Sequence, residues 1–120
     1  MAEPSKAPGV GDCVNLVMNT LARMRGDHAI IRSGHIPIMT RDACRYPLAR
    51  RAVARESVVE IVRYLLPVEW QRAVDEIGET RYRLPRELLA HDDFIVNVID
   101  SDTEVCVDIE RRDLYALPGP

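Results

Sequence analysis

The chain has 120 residues, 47% hydrophobic and 29% charged, a balance that is ordinary for one small globular domain. Its net charge of -3 argues against a nucleic-acid binder, which usually carries a basic excess. No apolar run approaches the roughly 20 residues that a membrane-spanning helix needs. The three cysteines lack Cys-x-x-Cys spacing, which favours a reducing compartment with free, mostly packed thiols, and we predict a cytoplasmic protein.

The start of the chain predicts a leader followed by one helix. Residues 1–11 are rich in proline, glycine and small side chains, and we expect a disordered leader there. Apolar residues then recur at steps of three and four, which predicts a helix over residues 13–24. Asp12 is its expected N-cap, and Gly26 is its expected stop.

Residues 26–48 are the segment around which the other predicted elements are arranged, because they read as two or three short strands. Turns are expected at Ser33-Gly34, where glycine tolerates positive φ, and at Arg41-Asp42. Pro37 cannot donate to a sheet ladder. Its strand should therefore begin at this proline or lie at a sheet edge.

Two consecutive helices follow. The first is expected to start near Ser57 and to stop at Leu66, because the residue before Pro67 disfavours the helical conformation. Pro67 suits the first position of a second helix over residues 68–77, which Gly78 should end. One face of the second helix is predicted to carry the apolar residues Trp70, Val74 and Ile77.

The C-terminal part predicts three strands. Residues 80–84 alternate between apolar and polar side chains, and residues 86–93 form a polar loop or a helical turn. The segments 94–99 and 104–109 make the clearest hairpin of the chain, with aspartates in its turn. The last residues, 113–120, form a tail.

This order of elements predicts the α+β class. We expect one domain over residues 12–112, with an antiparallel sheet of about five strands covered by three helices on one face. The helix stripes and strand alternation predict a buried core made of Val17, Leu21, Ile30, Ile61, Val62, Leu65, Val74, Phe94, Val96, Val98 and Val107.

No catalytic, cofactor-binding or metal-binding residue is predicted, and we expect a protein that is not an enzyme. Phosphate-binding loops of the GxxxxGK[ST] and GxGxxG types are absent from the sequence. Aspartates at 92–93 and 100–102 read as turn residues that cap their own backbone rather than as a cation site. His28, His35 and Cys44 match no zinc spacing and read as surface or packed residues.

Basic residues cluster between positions 41 and 55, and they are the contact residues that we predict. Such a cluster is usually a solvated surface, and the alternative is a contact for an acidic protein partner or an anion. Trp70 is expected to be a core or helix-packing residue, with a partner hot spot as the alternative. The residues concerned are Arg41, Arg45, Arg50, Arg51, Arg55 and Trp70.

Several segments, taken in order, resemble one known family. The chain resembles the N-terminal domain of the pilus-retraction ATPases, the PilT family. The resemblance rests on the first helix, the segment GDHAIIRSGHIPIM, the helix pair broken at Leu-Pro and the strand FIVNVI. These belong with the type II secretion and type IV pilus assembly ATPases. The resemblance covers about residues 12–112 and implies a PAS-like domain without the ATPase core, either freestanding or part of a longer protein.

The resemblance can be followed residue by residue. Asp27 matches the Asp that opens the family's first strand, and Asp42 lies near its Asp-Gly corner, where this chain has Ala43. The other matches are Gly34, Pro37, Leu66, Pro67, the strand over 79–84, Phe94, Val96 and Asn97. The chain departs from the family at His28, Ala29, Arg81, Asp93 and Ile95.

The resemblance implies a non-enzymatic interaction or regulatory module of a bacterial type IV pilus, type II secretion or motility machine. Its expected partner is an ATPase or a regulator, bound through a helix face or a sheet edge, with neither nucleic acid nor membrane insertion involved. The alternative is a sensor of a nucleotide or another anion, without a resident cofactor. A third possibility is a structural domain that homodimerises by edge-to-edge pairing of the C-terminal hairpin.

Overall fold

The computed structural model of the chain describes residues 9–85 and 92–113, and within them it contains three helices and six strands. Most of the predicted leader, polar loop and tail lie outside these ranges, so the domain boundaries stay predictions. In chain order the elements are α1 (Val10–Met24), β1 (His28–Arg32), β2 (Ile38–Arg41), β3 (Cys44–Pro47), α2 (Arg55–Leu65), α3 (Val68–Ile77), β4 (Glu79–Arg83), β5 (Asp92–Asp100) and β6 (Val105–Asp113).

The six strands form one antiparallel sheet in the order β3-β2-β1-β6-β5-β4. The predicted α+β class is confirmed, with one strand more than expected because residues 26–48 supply three. Both strands of the C-terminal hairpin, β5 and β6, have a neighbour on each side. The predicted edge-to-edge dimer through this hairpin is therefore wrong, since neither strand has a free edge.

The helices pack on one face of the sheet. That face carries the buried side chains of β1 and β6 and most of those of β5, and with the helices it forms one hydrophobic core; Asp93 and Ile95 of β5 are buried on the opposite face. The predicted core residues are buried except for Val17 and Ile30, which are half-buried. The prediction that Ile30 is buried is wrong, because alternation along β1 turns Ala29 and Ile31 toward the helices and leaves Ile30 on the opposite, open face.

The first helix starts earlier than predicted. Gly9, not Asp12, is the N-cap, and Val10 already belongs to the helix and packs against the core. Asp12 lies in the first turn, where its negative charge interacts favourably with the positive end of the helix dipole. The helix ends at Met24 as predicted, but Arg25 rather than Gly26 takes the left-handed conformation that closes it, and the N–H of Gly26 donates to the carbonyl of Leu21.

The second helix begins at Arg55, two residues before Ser57, and it ends before Pro67 as predicted. The amide of Gln71 donates to the carbonyl of Leu66 over 2.7 Å and supplies a partner at this break. Pro67 caps the third helix instead of entering it, and Gly78 ends that helix at φ 90° as predicted. On the predicted apolar face of this helix only Val74 is buried. Trp70 and Ile77 are exposed.

The turn predicted at Ser33-Gly34 is confirmed, whereas the corner predicted at Arg41-Asp42 lies one residue later, at Asp42-Ala43, because Arg41 still pairs in β2. Gly34 has φ 79°, and β2 begins at Ile38, directly after Pro37. β2 and β3 are joined by a two-residue corner in which both Asp42 (φ 50°) and Ala43 (φ 66°) are left-handed. No helix within the described ranges is long and apolar enough to cross a membrane.

Candidate interaction surface on the open face of the sheet

The predicted arginine cluster divides between the two faces of the sheet. Arg45 of β3 lies opposite Thr40 of β2, on the face that the helices leave open. Arg41 lies on the other face of the sheet, where it forms a 3.7 Å ion pair with Asp42. Arg50 and Arg51 are exposed in the segment between β3 and α2. The structure therefore brings Arg45 to the open face and keeps Arg41 away from it.

The remaining two predicted contact residues lie elsewhere. Arg55, at the start of α2, donates to a carboxylate oxygen of Asp100 over 3.1 Å and to the carbonyl of Ser101 over 3.2 Å, and it thereby ties this helix to the end of β5. The ring of Trp70 lies 5.3 Å from that of Tyr82 in β4, but Trp70 is exposed, so it is not the core residue that was expected. Their use as partner contacts stays a prediction.

A groove on the open face is the main feature that brings Arg45 together with other residues. Its apolar floor is made by Ile30, Ile36 and Ile38, and its rim carries Arg32, His35 and Arg45; Gly34 and Ala52 complete the lining. It encloses about 580 Å³. We call it the basic groove.

The floor follows from strand register. Ile30 of β1 lies directly opposite Ile38 of β2, so the two side chains meet on the open face. Both are half-buried, and Ile36 is 44% exposed. Isoleucines in such positions leave apolar surface against water that a bound partner would cover.

Backbone hydrogen bonds fix the rim. The left-handed Gly34 donates its N–H to the carbonyl of Val53, and the N–H of Val53 donates back to the carbonyl of His35. A third bond joins the N–H of Leu48 to the carbonyl of Pro37. Residues 48–53, which carry Arg50 and Arg51, are therefore held beside the groove.

The groove has an excess of positive charge. Arg32 is neutralised by Glu104, to which it donates from Nη2 over 3.0 Å, and His35 lies 4.0 Å from the same carboxylate. Arg45, Arg50 and Arg51 form no ion pair with any residue that the structure describes. Three cations beside the groove are thus available to a negatively charged partner.

The centre of the open face is ion-paired within the chain. His28 lies 2.8 Å from Asp108 across β1 and β6, and Arg112 lies 2.9 Å from Glu110 on β6 itself. Nearer the β4 edge, Arg83 donates from Nε to the buried carboxylate of Asp93 over 2.8 Å. These pairs leave little unbalanced charge between the basic groove and β4.

The cysteines and histidines form no chemical site among the residues described. Nowhere in that part of the chain do three or more His, Cys, Asp or Glu side chains come together as metal ligands. All three cysteines are free, but Cys13 and Cys44 are exposed, so the expectation of mostly packed thiols is wrong. Burial raises the pKa of the Cys106 thiol, and the nearby Arg32 offsets this only in part.

Sequence reasoning found Arg45 but missed Arg32, His35 and the isoleucine floor. A usable pattern was present, because Ile30 and Arg32 are two residues apart and must share one face of a strand. The sequence does not say whether that face is the open one, because this depends on Ala29 and Ile31 turning toward the helices.

Comparison with known proteins gives likeness in fold only. No protein-family model matches the chain, and no curated protein matches it. Among solved structures, the pilus retraction motor PilT with bound ADP matches at a TM-score of 0.68 and 12% identity, over 87% of this chain and 29% of that one. The Legionella pneumophila ATPase DotB matches at 0.65 and 10% identity, over 99% of this chain and 32% of that one.

The chain therefore spans about a third of the length of each of these two ATPases. At such low identity the match supports the predicted resemblance at the level of the fold. The chain shares its fold with part of the ATPases PilT and DotB.

Proposed function

We propose that the chain is a non-enzymatic protein-interaction module of a bacterial type IV pilus, type II secretion or motility machine, acting in the cytoplasm. Its partner is an ATPase or a regulator of that machine. The shared fold supports the association with such machines. The observation that carries the binding role is the basic groove, because it combines exposed isoleucine surface with arginines that lack an ion pair among the described residues.

This combination suits a protein interface. The centre of such an interface is apolar and depleted in charge, whereas arginine is enriched there and polar groups form the rim. Here the floor isoleucines would supply the apolar contact, and Arg45 would bind a carboxylate of the partner at the rim. A charged rim also speeds encounter with an acidic surface.

The test is capture of proteins from the native lysate by the tagged chain, quantified by mass spectrometry. We expect an ATPase or regulator of a pilus or secretion machine on the wild type, and loss of it on Arg45→Glu. Arg23→Glu is the matched control, since it makes the same charge change at an exposed position of α1. Equal recovery by all three, or recovery of no such protein, would contradict the proposal. Robust ATP hydrolysis by the purified chain would contradict its non-enzymatic part.

An anion sensor is the second candidate function. The 580 Å³ of the groove lies in the size range of small-molecule sites, and Arg45 and His35 on its rim favour an anion. We rank the anion sensor second, because the floor of the groove is apolar and because Arg32 is already paired with Glu104. Calorimetry with cyclic di-GMP and with ATP tests it: heat that disappears in Arg45→Glu supports it, and no heat with either ligand rejects it.

A further inference from the structure

The two outer strands of the sheet, β3 and β4, differ in how far they are open to further pairing. On β3, Leu48 donates its N–H toward β2, to the carbonyl of Pro37, so the neighbouring Pro47 turns its nitrogen outward. Proline has no N–H to donate, and it closes this edge at that position. β4 contains no proline and pairs with β5 without a bulge. It therefore offers a partner a regular strand.

Alternate residues of β4 direct their backbone groups away from the sheet. Gly78 and Leu84, which flank the strand, both bond to the backbone of β5, over 2.7 and 2.9 Å. Every second residue of an antiparallel ladder bonds to its neighbour, so Glu79, Arg81 and Arg83 turn their N–H and C=O groups to the outer side. No backbone group in the described part of the chain bonds to them there. The edge therefore has a row of donors and acceptors without a neighbouring strand.

Charged side chains on an edge strand usually discourage pairing, but the two arginines of β4 are held back on the sheet. Arg83 donates from Nε to Asp93 of β5 over 2.8 Å, and Arg81 lies 3.8 Å from Glu110 of β6. Glu79 forms no ion pair with any residue that the structure describes. The two positive charges are thus balanced within the chain, whereas the negative charge is left for a partner.

We propose that β4 pairs antiparallel with β4 of a second copy of this chain, about a two-fold axis that passes beside Arg81 and is perpendicular to the sheet. The outward residues of the two strands then form three bonded pairs, each with two backbone hydrogen bonds. The two sheets continue as one, with all helices on the same side. Two-fold dimers with self-complementary surfaces are the commonest closed assemblies.

The charges of β4 favour this register over its neighbours. With Arg81 at the axis, Glu79 of each copy lies opposite Arg83 of the other, which gives two cross-strand ion pairs. The two Arg81 side chains meet, and Glu110 of each copy reduces their repulsion. A slip of two residues one way would set Arg81 opposite Arg83 twice. A slip the other way would set Arg83 opposite Ile77, which belongs to α3.

The helical side of the edge is compatible with the same pairing. Thr80 would lie opposite Tyr82 of the second copy, and a β-branched residue against an aromatic ring is a favourable cross-strand pair. The ring of Trp70 lies 5.3 Å from that of Tyr82 and is part of a side chain that is 40% exposed. A second copy at this edge would cover part of that apolar surface.

The dimer would leave the basic groove free, so this inference goes beyond the proposed function. The strands that carry the floor of the groove, β1 and β2, are separated from β4 by β6 and β5. Because the axis is perpendicular to the sheet, both grooves would open on the same side. Two linked grooves would bind a partner that repeats the same contact more tightly than one groove does.

The first test is sedimentation of the full chain over a dilution series, with two substitutions at the axis. Arg81→Pro removes an outward N–H without breaking a bond to β5, so we expect its dimerisation to be at least about tenfold weaker than in the wild type. Arg81→Met keeps that N–H and removes the like charges, so it should dimerise at least as tightly as the wild type. A dimer that survives Arg81→Pro unchanged, or that Arg81→Met abolishes, would overturn the backbone pairing.

The register has a test of its own. Glu79→Arg places like charges at both proposed ion pairs and should weaken dimerisation at least about tenfold. Glu60→Arg is the matched control, since it makes the same charge change at an exposed position of α2 and should dimerise like the wild type. Equal dimerisation of the two variants would contradict the register, and assemblies larger than a dimer would contradict the two-fold arrangement.

Hydrogen exchange of the wild type, followed by NMR at high and low concentration, gives a readout that needs no variant. The outward amides of Glu79, Arg81 and Arg83 should exchange more slowly in the dimer, whereas the outward amide of Arg45 on β3 should not change. A wild type that stays a monomer at every concentration overturns the inference, as does protection at Arg45 instead of β4. If the wild type is monomeric while Arg45→Glu still abolishes capture of the machine component, this inference fails and the proposed function stands.

Discussion

The corner between β2 and β3 gives the sharpest test of the local structure, through the substitution Ala43→Gly. Asp42 and Ala43 are both left-handed, at φ 50° and 66°, in a two-residue connection. Hairpin corners of this kind usually have glycine at the second position, because a side chain there meets the backbone. The chain has alanine instead, so the folded state is strained at this residue.

The size of the effect can be worked out from two opposing contributions. A left-handed backbone costs an ordinary residue roughly 1–2 kcal/mol, which glycine does not incur. Glycine in turn gives the unfolded chain more freedom, worth roughly 0.5–1 kcal/mol against folding. We therefore expect Ala43→Gly to raise the free energy of unfolding by about 0.5–1 kcal/mol and the melting temperature by about 2–5 °C.

Two controls separate backbone conformation from side-chain contact. Gly34 is also left-handed, at φ 79°, and nothing lies within 4 Å of where its Cβ would be, so Gly34→Ala should destabilise the chain by about 1 kcal/mol through the backbone alone. Ala49 is exposed and has no positive φ, so Ala49→Gly should not stabilise. Urea unfolding of the four proteins measures all the differences. A destabilised Ala43→Gly would refute the reasoning about this corner.

Three further predictions concern packing, a buried ion pair and a thiol. Gly26→Ala should lower the free energy of unfolding by about 1–3 kcal/mol in urea titrations, because its Cβ would lie 2.7 Å from Met39 Sδ and 2.9 Å from Leu21 Cδ2; an unchanged midpoint would contradict this. Arg83→Met should lower the free energy of unfolding by about 1.5–3 kcal/mol, because it leaves the buried Asp93 carboxylate without its donor. Arg81→Met breaks only an exposed 3.8 Å pair with Glu110 and should lower it by less than about 1 kcal/mol. Equal losses in the two variants would refute the argument. Cys106 should be alkylated by iodoacetamide more slowly than the exposed Cys44 at neutral pH, because its raised pKa leaves less thiolate, and mass spectrometry showing equal rates would contradict that order.

Local patterns in the sequence predicted those elements whose ends or alternation are set by nearby residues. The stop of α2 before Pro67 and the end of α3 at Gly78 depend on backbone chemistry at single positions. The C-terminal hairpin depends on two short runs rich in β-branched residues with a turn of aspartates and serine between them. Each of these was predictable because no distant contact was needed to decide it.

The site was harder to predict, since it depends on which face each strand residue takes. Arg41 and Arg45 belong to one cluster in the sequence, but the register of β2 and β3 sends them to opposite faces. Arg32 and Ile30 reach the open face because β1 pairs with β6, about 80 residues further along the chain. Pairing at that separation is set by the whole core, so the isoleucine floor could not be read from any local pattern.

The central claim is that the basic groove is the contact for a protein partner, and its most direct test is binding to the captured machine component in purified form. Calorimetry should give a dissociation constant that Arg45→Glu weakens at least about tenfold and Arg23→Glu leaves unchanged, with affinity falling as salt is raised. Equal affinities for wild type and both variants would contradict the claim and place the contact elsewhere on the chain.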